Sequence, residues 1–388
     1  MKTKRRFKRR RLRILGRLDR YVGALFLGSY ATAFLIVVGL FLIMSMANDL
    51  DDFLETWPDG TKAPIAVVVR YYALTVPFVF MQLAPFVTLV AGMFTVSRLL
   101  KNNEAIASLA AGVSAHRMLA PVFVGGVIIS VGMFGMRELL SAPLFNGASL
   151  ANRRDAQLFI LEEKSYERVY SNLWLRDLEG NVVLLREFRP ATGSPPVAEA
   201  RGLEATVIRS TQELSIEADR AVYADREGEG AGEAGWWLEN GVRREIEGAQ
   251  HVTSVDWLEG FPFTPELALS FHRARETPLE LSFKEARQLA QRDPDSVVYR
   301  TLLQYHLTFP LANLILLMVG LPLLMRYDRG RGAEGLAAGC LVCVFYFATD
   351  FVCRNLGLGG NLDPILASWL PLLLFGSLGL VLYDSMRT

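Results

Sequence analysis

The chain has 388 residues, 51% of them hydrophobic, and its net charge of +1 hides an uneven spread. Eleven Lys/Arg and a single acid fall in the first twenty residues, while the stretch 140–297 is polar and rich in Asp and Glu. There is no Gly-Lys pair, hence no GxxxxGK phosphate loop, and neither GxSxG nor HExxH, so nucleotide-binding, serine-hydrolase and zinc-protease readings have no support.

The leader, 1–20, could read as a nucleic-acid arm. Directly ahead of a long apolar run it more simply marks the cytoplasmic side of a membrane helix, and no nucleic-acid partner is expected. Six apolar runs reach the ~20 residues that a bilayer requires. They lie near Tyr21–Met46, Tyr71–Val96, Leu119–Met136, Leu303–Met325, Gly335–Val352 and Ile365–Leu382. The first is too long for a signal peptide and lacks a small-residue cleavage site. Arg98, Lys101 and Arg117 mark the link 97–118 as cytoplasmic, as Arg326 to Arg331 do for theirs, while the acidic stretch 48–66 falls outside. All six crossings agree, with both termini in the cytoplasm and the large insert outside.

The link Ser97–Pro121 is the segment the spans are arranged around. Asn102 or Asn103 can cap a short helix, Glu104 suits its first turn, Gly112 can end it and Ser114 can cap the next. The helix, near 102–112, has an apolar face of Ala105, Ile106, Leu109 and Ala110. It reads either as a structural elbow or as a peg that fits a groove on a cytoplasmic partner.

The outer insert, 141–276, reads as β. Tyr170–Asp177 and Val182–Phe188 form a hairpin, followed by short strands at Gly202–Arg209, Gln212–Ala218, Ala221–Tyr223, Trp236–Glu239 and Val242–Ile246. Short alternating strands with frequent turns suggest a sandwich or jelly roll, open enough to receive acyl chains at inward positions such as Leu173 and Leu175. A linker follows Trp257. The segment 277–297 is a surface helix, with a capping-box spacing at Ser282 and Glu285, that runs into the fourth span. Residues 298–388 hold the last three spans, in which Pro310 and Pro322 predict kinks. Cys340 and Cys343 have CxxC spacing, but inside an apolar span plain packing accounts for them. His116, His251, His272 and His306 are scattered over the compartments and form no metal cluster.

Arg70, Arg137, Arg300 and Arg354 each lie at the outer end of a different span, where basic residues are usually sparse. They read either as a rim that binds the phosphate of an anionic lipid or as local ion pairs, with Glu138 beside Arg137 and Asp350 one turn before Arg354.

Several short motifs, in order and spacing, resemble the LptF/LptG (YjgP/YjgQ) permease family over nearly the whole chain. They are Leu18-Asp-Arg-Tyr21, Asn103-Glu-Ala-Ile106, Ala111-Gly-Val-Ser114, Ile216-Glu-Ala-Asp-Arg-Ala221, Trp237-Leu-Glu-Asn240, Thr264-Pro-Glu266, Leu281-Ser282 and Val344 to Asp350. The opening motif is similar to the LptG side, although Ser45 to Asn48 stand where that side carries a basic residue. The resemblance implies an α-helical integral membrane protein with six transmembrane helices and an inserted all-β periplasmic jellyroll-like domain, in the bacterial inner membrane. It implies a transport subunit, not an enzyme, that extracts lipopolysaccharide or a related glycolipid and passes it to a periplasmic bridge protein. Its partners would be a second permease of the family, or itself, and a cytoplasmic ATPase dimer. No cofactor is expected in this chain, ATP and Mg being held by the ATPase. Glu104 would engage the ATPase, and the first and fifth spans would form lateral gates. The competing reading is a membrane-anchored envelope sensor or scaffold, which has no use for a short cytoplasmic peg between spans.

Overall fold

The computed structural model describes residues 16–54, 65–140, 169–176, 181–192, 197–209, 212–225, 234–245, 252–258, 264–276, 281–325 and 332–386. The basic leader before Gly16 and the Arg326–Arg331 stretch lie outside these. Among the described residues, six helices are long and apolar enough to cross a membrane: Arg17–Asn48, Thr75–Lys101, Ala115–Leu139, Val297–Met325, Glu334–Leu358 and Pro364–Asp384. They overlap the six apolar runs read from the sequence. In full, α1 is Arg17–Leu54, α2 Ile65–Lys101, α3 the short Glu104–Ala110 and α4 Ala115–Leu140. The fourth span is two helices, α7 (Val297–Thr308) and α8 (Ala312–Met325), joined by a 3₁₀ turn at Phe309–Leu311. The fifth and sixth are α9 (Gly332–Leu358) and α10 (Pro364–Asp384).

The turn at Pro310 fulfils one of the two expected kinks. Proline has no N–H to give, and the broken ladder leaves backbone carbonyls to be satisfied inside the bundle. Asn313 Nδ2 donates to the Pro310 carbonyl (2.9 Å), and the Ser130 hydroxyl of α4 lies 2.8 Å from the same oxygen. Asn313 Oδ1 accepts from Thr88 of α2 (2.9 Å). One buried polar knot therefore joins α2, α4 and the fourth span. Around it the packing is close: a Cβ on Gly92 would meet Leu317 at 2.7 Å, and one on Gly320 would meet Leu89 at 2.3 Å. Small residues let the helices approach, as membrane interfaces require.

The insert between the third and fourth spans is a single antiparallel sheet. Its strands are β1 (Tyr170–Arg176), β2 (Val182–Thr192), β3 (Val197–Arg209), β4 (Gln212–Asp225), β5 (Ala234–Glu239), β6 (Val242–Glu245), β7 (Val252–Ser254) and β8 (Trp257–Leu258). The order is β1-β2-β3-β4-β5-β8, with β6 beside β4 and β7 beside β6. β5 and β6 share one edge of β4, meeting at Asn240-Gly241, so they act as one bent strand. Asn172, Gly202 and Asn240 all have positive φ (54°, 62° and 54°). By register Asn172 falls opposite Arg186, Arg186 opposite Gly202 and Gly202 opposite Asp219, while Asn240 Nδ2 donates to Asp219 (3.0 Å). A line of left-handed residues thus crosses the sheet at alternate strands, where Asn and Gly carry the least strain. It flips the inward parity: the buried positions run Leu185 then Phe188, Ala200 then Leu203, Ala218 then Ala221. The sheet curls enough for Phe188 of β2 and Trp236 of β5 to meet with ring centroids 6.4 Å apart. In a flat sheet, strands three places apart lie ~14 Å from each other.

The outer face of the sheet is a ladder of ion pairs. Glu199 accepts from Arg220 (2.8 Å), which also reaches Glu239 (2.9 Å), and Arg244 reaches Glu217 (3.2 Å). The hydrogen bond from Arg220 holds the Glu199 carboxyl below its ordinary range. The inner face is closed at one end by α5 (Pro265–Glu276), whose Leu267, Ala268, Phe271 and Ala274 join the sheet's core. The sequence reading places a linker there; the amphipathic run is a helix because the sheet offers its apolar side a partner. Leu173 and Leu175 are 3% and 1% exposed, packed in this core, so they do not line an open cavity. Next, α6 (Phe283–Arg292) begins with the expected capping box: Ser282 Oγ accepts from Glu285 N–H (3.1 Å), and Glu285 Oε2 accepts from Ser282 N–H (3.0 Å). It stops at Asp293 instead of running into the span. His306 of α7 lies with Nε2 2.7 Å from the Leu281 carbonyl, fastening the insert to the bundle.

Candidate functional site

Two regions hold the residues singled out in the sequence. The first is a cavity of about 320 Å³ in the half of the bundle nearest the β domain. Phe78, Met81 and Gln82 of α2, Arg137 of α4, Tyr305 and Phe309 of the fourth span, and Phe347, Asp350, Phe351 and Arg354 of α9 line it. Arg137 and Arg354 sit three and four residues from their helix ends, about 5 Å inside the bundle at 1.5 Å per residue. Both guanidiniums lie over the Tyr305 ring, at 5.9 and 4.9 Å from its centroid. Arg354 also donates to the Tyr305 hydroxyl (2.7 Å) and pairs with Asp350 at 3.6 Å. The exposed side chains of Gln82 and Phe351 mark the side on which the cavity opens. The wall thus carries two guanidiniums and one carboxylate in a largely aromatic surround. Arginine keeps its charge when buried and presents a fork that matches phosphate or carboxylate oxygens.

The expected four-arginine rim is therefore reduced here. Arg137 and Arg354 come together, and the Asp350–Arg354 pair suggested by their spacing is formed. Arg300 is exposed on the first turn of α7 and does not line the cavity. Arg70 belongs to α2, but its side chain lies outside the described ones. Glu138 Oε2 accepts from the Phe283 N–H (3.2 Å), joining α4 to α6. Tyr305 and Gln82 escaped the sequence reading. An aromatic or an amide inside an apolar span gives no charge signal, and only the fold shows that Tyr305 lies between two arginines from other helices.

The second region is the opposite end, where α3 lies. Its C-terminus is as expected: Gly112, at φ +80°, donates to Leu109 O (2.9 Å), and Val113 donates to Ser108 O (3.0 Å). Its N-terminus differs. Asn103 stands at the cap in a left-handed conformation with no side-chain cap bond. Asn102 instead donates to Glu104 Oε1 (3.3 Å), as does the Tyr21 hydroxyl of α1 (3.0 Å). Glu104 is half-buried, and its Oε2 has no hydrogen-bond partner among the described residues. Of the apolar face, Ala105 is fully buried against this chain's own core and Leu109 packs on it, whereas Ile106 is 40% exposed. The outward face is Ile106, Ala107, Ala110 and Ala111. His116 at the start of α4 contacts the Tyr383 carbonyl of α10 (3.0 Å), so the start of α1 and the end of α10 both lie at the α3 end.

A second cavity, about 460 Å³, opens in the β domain at the end of the strands away from α5. Val207, Leu214, Ile216 and Leu258 form its apolar wall, and Trp257, Trp237, Arg243 and Asp256 its rim.

No curated protein matches the chain. The family model described as lipopolysaccharide export system permease LptF/LptG matches residues 20–385, nearly the whole length. Six apolar helices, an antiparallel β insert after the third and a short helix after the second are joined in one chain, and with that match the chain belongs to the LptF/LptG lipopolysaccharide export permease family.

Proposed function

We propose that this chain is a membrane subunit of a complex that extracts lipopolysaccharide, or a related glycolipid, from the inner membrane and passes it to a periplasmic bridge. A separate cytoplasmic ATPase dimer supplies the ATP hydrolysis and its Mg, and a second permease of the family, or a second copy, completes the membrane part. Both termini face the cytoplasm. The common placement of the start of α1, the end of α10 and α3, opposite the β domain, supports this orientation. The outward face of α3 would dock on the ATPase, with Glu104 coupling the two. The cavity of Arg137 and Arg354 would hold a headgroup phosphate. The open end of the β domain would take acyl chains, Leu173 and Leu175 themselves being packed in the core.

The observation that carries this reading is the pair of guanidiniums inside an aromatic cavity in the half of the bundle nearest the β domain. A lipid phosphate supplies the oxygens that such a pair binds. The test is the Arg137→Gln/Arg354→Gln double variant in the complete complex, in nanodiscs. Two charge-assisted contacts, each worth about 1.5–3 kcal/mol, predict at least about a hundredfold weaker stimulation of the ATPase by lipopolysaccharide at sub-saturating lipid, with basal activity kept. Lysine at both positions keeps the charge without the fork and should recover part of the loss. Arg300→Ala, outside the cavity, should leave stimulation intact. Wild-type stimulation in the double glutamine variant removes the phosphate role.

A further inference from the structure

The Leu18-Asp-Arg-Tyr21 motif has no part in either cavity, yet it makes two bonds to the elbow between α3 and α4. Asp19 Oδ2 accepts from the Gly16 N–H (2.8 Å), capping the start of α1, and lies 3.8 Å from Arg117 in the first turn of α4. Tyr21 reaches the other way, to Glu104 of α3. Residues two apart on a helix leave it on different sides, so the first turn of α1 is straddled by the elbow. One turn on, Gly23 faces Pro121 of α4. Further on, the Phe26 ring fills the space over Gly125, where a Cβ would meet it at 2.4 Å. The start of α1 is therefore seated on α4, and the Tyr21 hydroxyl joins it to α3. That hydroxyl occupies Oε1 of Glu104, while Oε2 is buried with no hydrogen-bond partner among the described residues.

We propose that Tyr21 is a positioning residue of the transport cycle, holding the Glu104 carboxylate in place and tying the first span to α3. A partner that moves α3 then displaces the start of α1 with it. The proposal rests on the reading that Glu104 couples this chain to the ATPase. It adds that the carboxylate has a second role, inward, toward α1.

The test is a double-mutant cycle in the full complex with its ATPase, reconstituted in proteoliposomes containing lipopolysaccharide. Tyr21→Phe, Glu104→Gln and the pair are compared for ATPase association, ATP turnover and lipid released per ATP. Tyr21→Phe keeps the ring and should assemble normally but release about fivefold less lipid per ATP, the weight of one exposed hydrogen bond. The pair should be no worse than Glu104→Gln alone, because Tyr21 acts through Glu104. Two independent losses that multiply in the pair indicate a merely structural tyrosine and overturn the proposal. Wild-type release by Tyr21→Phe, with Glu104→Gln impaired, overturns the proposal and leaves the coupling role of Glu104 standing. Wild-type release by Glu104→Gln removes both.

Discussion

Spans two and four are buried over 72% and 67% of their apolar windows, spans one and five over only 17% and 28%. In the sequence the four are similarly apolar, so hydrophobicity did not sort them. The sorting follows what lipid cannot supply: small residues for close approach and polar groups that need partners. Span two offers Gly92 to Leu317 and Thr88 to Asn313, and span four offers Gly320 to Leu89. Span one turns Leu35, Ile36, Leu40 and Ile43 outward, and span five does the same with Leu341, Val344, Phe345 and Phe351. The molecule thus has a buried centre of spans two and four, around which the other four spans, 17–33% buried, are each held along one face.

The contrast gives an ordered set of expectations for thermal unfolding in detergent. Asn313→Leu removes the donor to Pro310 and the acceptor from Thr88 at the centre, and should cost about 2 kcal/mol. A wild-type melting curve would show that the polar knot is not what holds spans two and four together. Gly125→Ala pushes a methyl against Phe26, and with it the seat of span one, but the peripheral helix can shift. The expected loss is about 1 kcal/mol, at the low end for overpacking. Leu35→Ala, 72% exposed in this chain, should change stability by less than about 0.5 kcal/mol. A larger loss in the isolated subunit would mean that span one is as firmly packed as the centre.

How much of this was legible depends on the signal each residue carries. Six long apolar runs announce spans by length alone, and Ser282 with Glu285 announces a helix start that the structure reproduces. The β strands were legible through alternation, and they were misread where alternation breaks. Alternation alone starts β3 at Gly202 and splits β4 between Ala218 and Ala221, both on the line of left-handed residues that flips inward parity. There the ladder continues while the side-chain pattern does not. At the sites, Asp350 and Arg354 were readable because they share a helix face. The meeting of Arg137 with Arg354, and of Tyr21 with Glu104 83 residues away, was not, since only packing brings them together. Arg300 carried the same signal as Arg137 in sequence but ended exposed, because the break at Asp293 starts α7 afresh and leaves that turn outside the cavity.

The helix α5 has a consequence for how the protein is made. It follows the whole sheet in the chain, and the core it closes also draws on Leu281, Leu289 and Leu302, the last already within the fourth span. During synthesis the curled sheet therefore emerges with Leu185, Phe188 and Trp236 uncovered, and stays so until the chain has turned back toward the membrane. For that interval its apolar inner face and its β1 edge are open to other chains, the hazard of any unfinished sheet. The insert is thus not an autonomous module, and its folding is completed by the bundle that it stands on.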